Sequence, residues 1–505
     1  MIRKLGLLFA IASIIGMAAC GSGGTNNPTS AVTSVSVSCS PTTVPSGGTS
    51  QCSATVSGTG NFSTAVAWSA SAGSISSTGL LTAPMVTTTL VDTVTATSTQ
   101  NTSVAGTANV TVNPTSSSSN VAPITVDAGP AGLGYIATNV AFVTITVCVP
   151  GTSNCQNIDH VTVDTGSSGL RLLPTSSGGE LSLSLPQEND SNGNPLAECL
   201  VFLDGYIWGP VQTADVTIAG ESASNIPVQL IIPSTSSPGV PQSCSDQNPS
   251  GGNGNEGNSL SDFGANGIIG VGLFQQDCGP GCTNLNGSPP PVYYECTSSG
   301  CNPTFATLAQ QLPNPVSTFA ADNNGVLIQL PAVPDGGSST VNGSLIFGIG
   351  TQANNGLGSA TVYPVPDSGS NAGDIVTTFN GTQYQGFVDS GSNGLFFLDS
   401  SVAGVPATCT GDLTSWYCPT TSPDNLMASN QGQSTSGPVG TPVQTNLSIE
   451  SAQTLFSGSN TAFSTLGGPL SDTFDWGLSF FYGRNMFTAI ENMSSPGGTG
   501  PYFAF

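Results

Sequence analysis

The chain has 505 residues, of which four are Lys or Arg, one is His and 28 are Asp or Glu, giving a formal net charge of −24 at pH 7. That balance excludes nucleic acid as a partner, because almost nothing is present to neutralise phosphates. Only 6% of residues are charged, so Ser, Thr, Asn, Gln and Gly must cover the surface, and such a surface tolerates acid: protonating the carboxylates removes self-repulsion and leaves no large excess of cations.

Arg3 and Lys4 precede the apolar run Leu5 to Met17, and Ala18-Ala19 precede Cys20. This is the pattern of a bacterial secretory signal, too short for a spanning helix. Small residues before a Cys resemble a lipobox, which implies a signal over 1–19, lipid on Cys20 and a flexible tether over 20–30. An ordinary signal peptide cut nearby is the alternative. Without residues 1–19, Arg171 and Arg484 are the only basic residues besides His160, and the formal charge is −26.

Residues 31–113 predict a separate module. Val35, Val37 and Cys39 alternate with Ser, and Val110 and Val112 with Thr. Short alternating strands with closely spaced turns predict an antiparallel sandwich, and the stretch resembles bacterial immunoglobulin-like domains used as spacers. It carries no cluster of titratable groups, so a stalk is the expected role, with glycan or a surface partner as the alternative. Residues 114–120 form a Ser/Thr linker.

From 121 to 505 the alternation is mostly strand-like. Short helices are predicted at 303–311, from the spacing of Phe305, Leu308 and Leu312, and at 449–456. The Gly/Asn/Ser stretch 247–259 reads as a surface loop. There are 13 Cys. Setting Cys20 aside leaves close pairs: Cys39/Cys52, Cys148/Cys155, Cys278/Cys282, Cys296/Cys301 and Cys409/Cys418, with Cys199/Cys244 as a longer sixth. Disulfides are the simplest reading for an exported chain; zinc competes for Cys278, Cys282, Cys296 and Cys301, and pairing within that group stays open.

Two stretches stand out: Val161-Thr-Val-Asp164-Thr165-Gly166-Ser167-Ser168-Gly169-Leu170 and Gly386-Phe387-Val388-Asp389-Ser390-Gly391-Ser392-Asn393-Gly394-Leu395. In each, an apolar strand-like run delivers an Asp into a tight Gly turn and a second apolar run leaves it. Such a carboxylate needs donors, and the neighbouring hydroxyls are placed to supply them. Asp367-Ser368-Gly369-Ser370 repeats the tetrapeptide with no strand on either side, and serves as an internal decoy.

The paired turns resemble those of pepsin-like aspartic peptidases. Asn266 to Gly272 and Phe474 to Phe481 resemble that family's apolar-apolar-Gly segments, and Phe487 to Phe505 resembles its last strands. The likeness spans about 122–505 in two repeats; more narrowly, the DTGSSGLR form looks like an uncharacterised bacterial family, domain of unknown function 3443. The resemblance implies a mainly β, bilobal double barrel with lobes near 121–330 and 331–505, following the Ig-like sandwich. It also implies an Asp164/Asp389 dyad sharing one proton and activating water on a polypeptide substrate, with no cofactor or metal. Ser167 would bond Asp164 and Ser392 would bond Asp389, while Thr165 and Ser390 tie the Gly166 and Gly391 turns together.

The flap departs from the family. Phe202 falls where a Tyr is expected, and Arg171 where its Trp partner is expected. Tyr206 is the candidate substitute for that Tyr, and Asp204 the candidate partner of Arg171. His160, the single histidine, reads as a strand residue, since no strained Ser elbow accompanies it. Gly348-Ile-Gly350 lacks the Lys of a phosphate loop. Two functions therefore stand: a surface-tethered, acid-active endopeptidase, and a pepsin-fold binding or structural lipoprotein without catalysis.

Overall fold

A computed structural model of the protein describes residues 30–45, 48–84, 89–113, 120–203, 205–247, 256–283 and 287–505. Cys20, Asp204 and linker residues 114–119 lie outside the described residues. The chain divides into two compact units, Met1–Ser116 and Ser117–Phe505. No helix among the described residues is long and apolar enough to cross a membrane.

In the first unit eight strands form two four-stranded sheets. Ala31–Ser40 pairs antiparallel with Thr49–Thr59, and Leu90–Ser98 with Ala105–Asn113. Val94, Val110 and Val112 are fully buried against Leu81 and the Cys39–Cys52 disulfide. The one fully buried carboxylate here, Asp92, is satisfied by N–H donors of Ser71, Ala72 and Gly73 and the Ser71 hydroxyl.

The second unit is mainly β and bilobal. A seven-stranded sheet makes most of the second lobe, and a fifteen-stranded sheet runs from the first lobe into a shared base. In the base, Val121–Val126 pairs with Val341–Phe347, which pairs with Gly325–Gln329, then Asn485–Ala489, then Tyr502–Ala504. The two lobes thus share backbone ladders as well as packing.

The lobes repeat one device. Gly267–Val271 lies parallel to the strand Cys155–Asp164 and antiparallel to Ser168–Leu172, so it threads between the two limbs of the first turn. Leu470–Trp476 does the same between Thr382–Val388 and Leu395–Leu398. Gly267–Val271, enclosed on both sides, is buried throughout and reads as a continuous run, whereas Leu470–Trp476 is buried only over Phe474, Asp475 and Trp476.

The six disulfides among the described residues join the five close pairs, Cys39–Cys52, Cys148–Cys155, Cys278–Cys282, Cys296–Cys301 and Cys409–Cys418, and the longer Cys199–Cys244. Helix content departs from expectation. The segment 303–311 is not a helix: Gly300–Pro303 ends a strand, and a single turn follows in which Gln310 and Gln311 N–H bond the Thr307 carbonyl. Leu312 N–H then goes to the Tyr293 hydroxyl, and Pro313 has no N–H to continue a helix. The second predicted helix is one turn, Ala452–Leu455.

Candidate active site

Each strand ends by delivering its Asp to the seam between lobes. Gly166 N–H donates to Asp164 Oδ1 at 2.7 Å, and the Ser167 hydroxyl to Asp164 Oδ2. The second turn repeats this, with Gly391 N–H to Asp389 Oδ1 at 2.7 Å and Ser392 Oγ to Asp389 Oδ2 at 2.8 Å. Both carboxyls are therefore held through both oxygens before any substrate is considered.

The turns are tied crosswise. Ser390 N–H donates to Thr165 Oγ1 at 2.9 Å, and Thr165 Oγ1 donates to the Val388 carbonyl at 3.1 Å. Reciprocally, Thr165 N–H donates to Ser390 Oγ at 3.1 Å and Ser390 Oγ to the Val163 carbonyl at 2.7 Å. Thr165 and Ser390 are buried, so these four bonds are shielded from water, and each hydroxyl uses one lone pair and its single proton.

Glycine is required by proximity. A Cβ on Gly166 would lie 2.7 Å from Asp389 Cγ, and one on Gly391 would lie 2.7 Å from Asp164 Oδ1. Each turn packs directly on the other lobe's carboxyl. Asp164 is buried; Asp389 keeps a partial opening to solvent yet is enclosed by both turns. Desolvation first, then the charge of Asp164 and the hydrogen bond with it, push the Asp389 carboxyl well above the ordinary carboxylate range.

Above the turns lies a cleft of about 360 Å³, lined among others by Leu200, Phe202, Leu273, Phe274, Asp374 and Phe387. Burial pushes Asp374 up to about 6. Phe202 stands at the tip of the hairpin formed by Leu196–Val201 and Tyr206–Ile218, its N–H bonding the Gly205 carbonyl at 2.8 Å.

One expectation about this hairpin is corrected, and the one about Asp204 lies outside the described residues. Tyr206 does not stand in for the missing hydroxyl: it is buried at the start of its strand and donates to Glu256 Oε1 at 2.8 Å, because strand alternation turns it away from the cleft. Arg171 finds acidic partners among the described residues. The fully buried guanidinium of Arg171 donates to Glu198 through Nε at 3.2 Å and Nη2 at 2.5 Å, to Asp277 at 3.4 Å and to the Ser168 carbonyl at 2.8 Å. Tyr293 Oη donates to Asp277 and accepts the Leu312 N–H. Glu198 belongs to the hairpin strand, so an ion pair joins hairpin to lobe where the family pattern has a Trp–Tyr bond. Sequence reasoning missed Glu198 because an acid in an alternating strand resembles a solvated one; Arg171 inside an apolar run was the available signal that a buried acid must exist.

The remaining singled-out residues lie elsewhere. Asp367 is in an exposed turn, its carboxylate bonded to Ser368 Oγ at 2.9 Å. His160 sits in its strand between Asp127 and Asp159, at 3.2 and 2.9 Å. Among the described residues no group of His, Cys, Asp and Glu is arranged to hold a metal ion.

The architecture that results is a pepsin-like one: mainly β, in two lobes, each contributing one Asp turn to a common seam. The chain belongs to the family described as "Protein of unknown function (DUF3443)", whose model matches residues 116–505. Among solved structures it is similar to an aspartic proteinase from Irpex lacteus, with 14% identity and a TM-score of 0.42 over 76% of this chain and 96% of that one. No curated protein matches it.

Proposed function

We propose that the protein is an acid-active aspartic endopeptidase, tethered at a bacterial surface by lipid on Cys20, with Asp164 and Asp389 as the catalytic pair. The observation that carries this reading is the mutual enclosure of the two carboxyls, each held by a Gly N–H and a Ser hydroxyl and each in contact with the other lobe's turn. Two acids so placed cannot both ionise cheaply. The ionised member takes a proton from a water molecule as that water attacks the scissile carbonyl; the neutral member donates its proton to the carbonyl oxygen. Collapse of the tetrahedral species, with proton return to the leaving amine, restores the shared proton.

The apolar walls of the cleft suit an extended polypeptide, and the excess of acids suits work at low pH, where self-repulsion is least. The 31–113 module, similar to Ig-like spacers, would hold the peptidase away from the membrane or meet a surface partner. The test is incubation of purified protein with a denatured protein substrate at pH 3 to 5, with and without a statin-type peptide inhibitor. Inhibitor-sensitive cleavage is expected; none at any pH would leave the binding lipoprotein, which the replacement of the Trp–Tyr bond by Arg171–Glu198 favours. A Cys20→Ser variant should appear as soluble protein, and its retention in the membrane fraction would reject the lipid tether.

A further inference from the structure

The cleft above the Asp turns is walled on one side by a loop of the second lobe. Residues 366–374 fold back on themselves through backbone bonds: Gly373 N–H donates to the Pro366 carbonyl at 2.9 Å, and Asp374 N–H to the Asn371 carbonyl at 3.1 Å. Gly373 has a φ of +85°, and a Cβ there would lie 3.4 Å from Leu273 Cδ1 and 3.5 Å from Phe274 Cε2, both in the first lobe. The loop thus reaches the opposite wall and sets Asp374, the residue before the strand Ile375–Phe379, into the lining of the cleft.

Most polar side chains of that lining are already committed. Thr165 bonds the other turn, the Ser167 hydroxyl bonds Asp164, the Ser168 hydroxyl bonds the Phe274 carbonyl at 2.6 Å, and Asp277 takes the Tyr293 hydroxyl and the Arg171 guanidinium. Asp374 differs. It is half-buried, and among the described residues neither a hydrogen-bond donor nor a cation meets its carboxylate, so burial alone acts on it. The basic groups of the described residues are occupied elsewhere: Arg171 by Glu198 and Asp277, Arg484 by the Phe480 ring and the Phe480 and Tyr482 carbonyls, His160 by Asp127 and Asp159.

A carboxylate withdrawn from water without compensation is costly, and the few polar groups of a largely apolar cleft are what orient its ligand. The missing partner therefore comes with the occupant. A lysine ammonium or an arginine guanidinium satisfies the carboxylate best, because each brings donors and the opposite charge together. The formal net charge of −24 draws such groups toward the protein. An acidic side chain at the same place would be repelled.

We infer that Asp374 is a specificity-determining residue, selecting a lysine or arginine side chain of the polypeptide bound in the cleft. The nature of the occupant rests on the peptidase reading, but binding is measured apart from cleavage.

The test is calorimetric titration at pH 6 with statin-type peptides in which one position at a time carries lysine or its uncharged analogue norleucine. At one position lysine should bind about tenfold more tightly than norleucine. Asp374→Asn should bring that ratio to about one, whereas Asp367→Asn, at the exposed end of the same loop, should leave it unchanged. Asp374→Lys should reverse the choice, so that glutamate at that position binds more tightly than lysine. A wild-type ratio near one at every position, a lysine preference that survives in either Asp374 variant, or failure of every peptide to bind overturns the inference. Lysine-selective binding without cleavage would remove the peptidase reading and leave the inference standing; cleavage with no lysine preference would do the reverse.

Discussion

Two residues that share a step should fail together. Asp164→Asn and Asp389→Asn should each lower kcat about a thousandfold or more, and the double variant should be no worse than either, as assays of all three would show. Asp367→Asn should cleave as the wild type does, since its turn is exposed and away from the seam. Gly391→Ala tests the enclosure itself: the added methyl would sit 2.7 Å from Asp164 Oδ1 and must displace that carboxyl. A loss of about a hundredfold in kcat is expected, with an unchanged circular dichroism spectrum. The two Asp turns were legible because strand, Asp, Gly turn and strand are all local in sequence. The burial of Glu198 was not, because it depends on the pairing of its strand with Tyr206–Ile218 and on Arg171, which lies 27 residues away in the chain.

The hairpin Leu196–Val201/Tyr206–Ile218 is docked by a charge cluster that no local pattern shows. Arg171 is one cation between two buried carboxyls, Glu198 and Asp277, and burial followed by the Glu198 charge raises Asp277 well above its usual range. Arg171→Met should cost about 3–5 kcal/mol in urea unfolding, because it strands Glu198 without a partner. Adding Glu198→Gln should recover part of that loss; a double variant less stable than Arg171→Met alone would show that the pair is not the reason. Strand content and the threaded segment Gly267–Val271 followed from the sequence, since a strand enclosed on both sides need not alternate. The helix at 303–311 did not: its periodicity was outweighed by a strand at one end and Pro313 at the other, and tertiary bonds took the backbone groups a helix would need; at 449–456 the expected helix is present as the single turn Ala452–Leu455.

For the whole molecule, pH acts through carboxyls of opposite kinds. Asp374, Asp389 and Asp475 have folded-state pKa values above their ordinary ones. Their contribution to stability is fully present below the unfolded value near 4 and is lost as pH rises through the folded values, near 6 for Asp374. Asp159 and Asp190 are lowered and act the other way, losing stability as pH falls below the usual carboxylate range. The melting temperature should therefore peak between about pH 4 and 5 and lie on the order of 5 °C lower at pH 8. Calorimetry across that range checks it, and a melting temperature that climbs steadily to pH 8 would contradict the assignment of these groups. The bilobal plan was legible from two repeats of one motif; the continuous base sheet was not, because its neighbours are strands from opposite ends of the unit.

That base sheet sets an order of events during synthesis. Val121–Val126 meets Phe142–Cys148 at a single residue pair and finds its full antiparallel partner in Val341–Phe347, and Thr165 bonds a hydroxyl 225 residues further along. A growing chain that has made the first Asp turn thus holds half a grip and an unpaired strand edge, and such long-range pairing is slow to form. The carboxyl pair comes into being only when both lobes are present and joined, so under the proposed function a nascent or truncated polypeptide would carry no working dyad to turn on its neighbours.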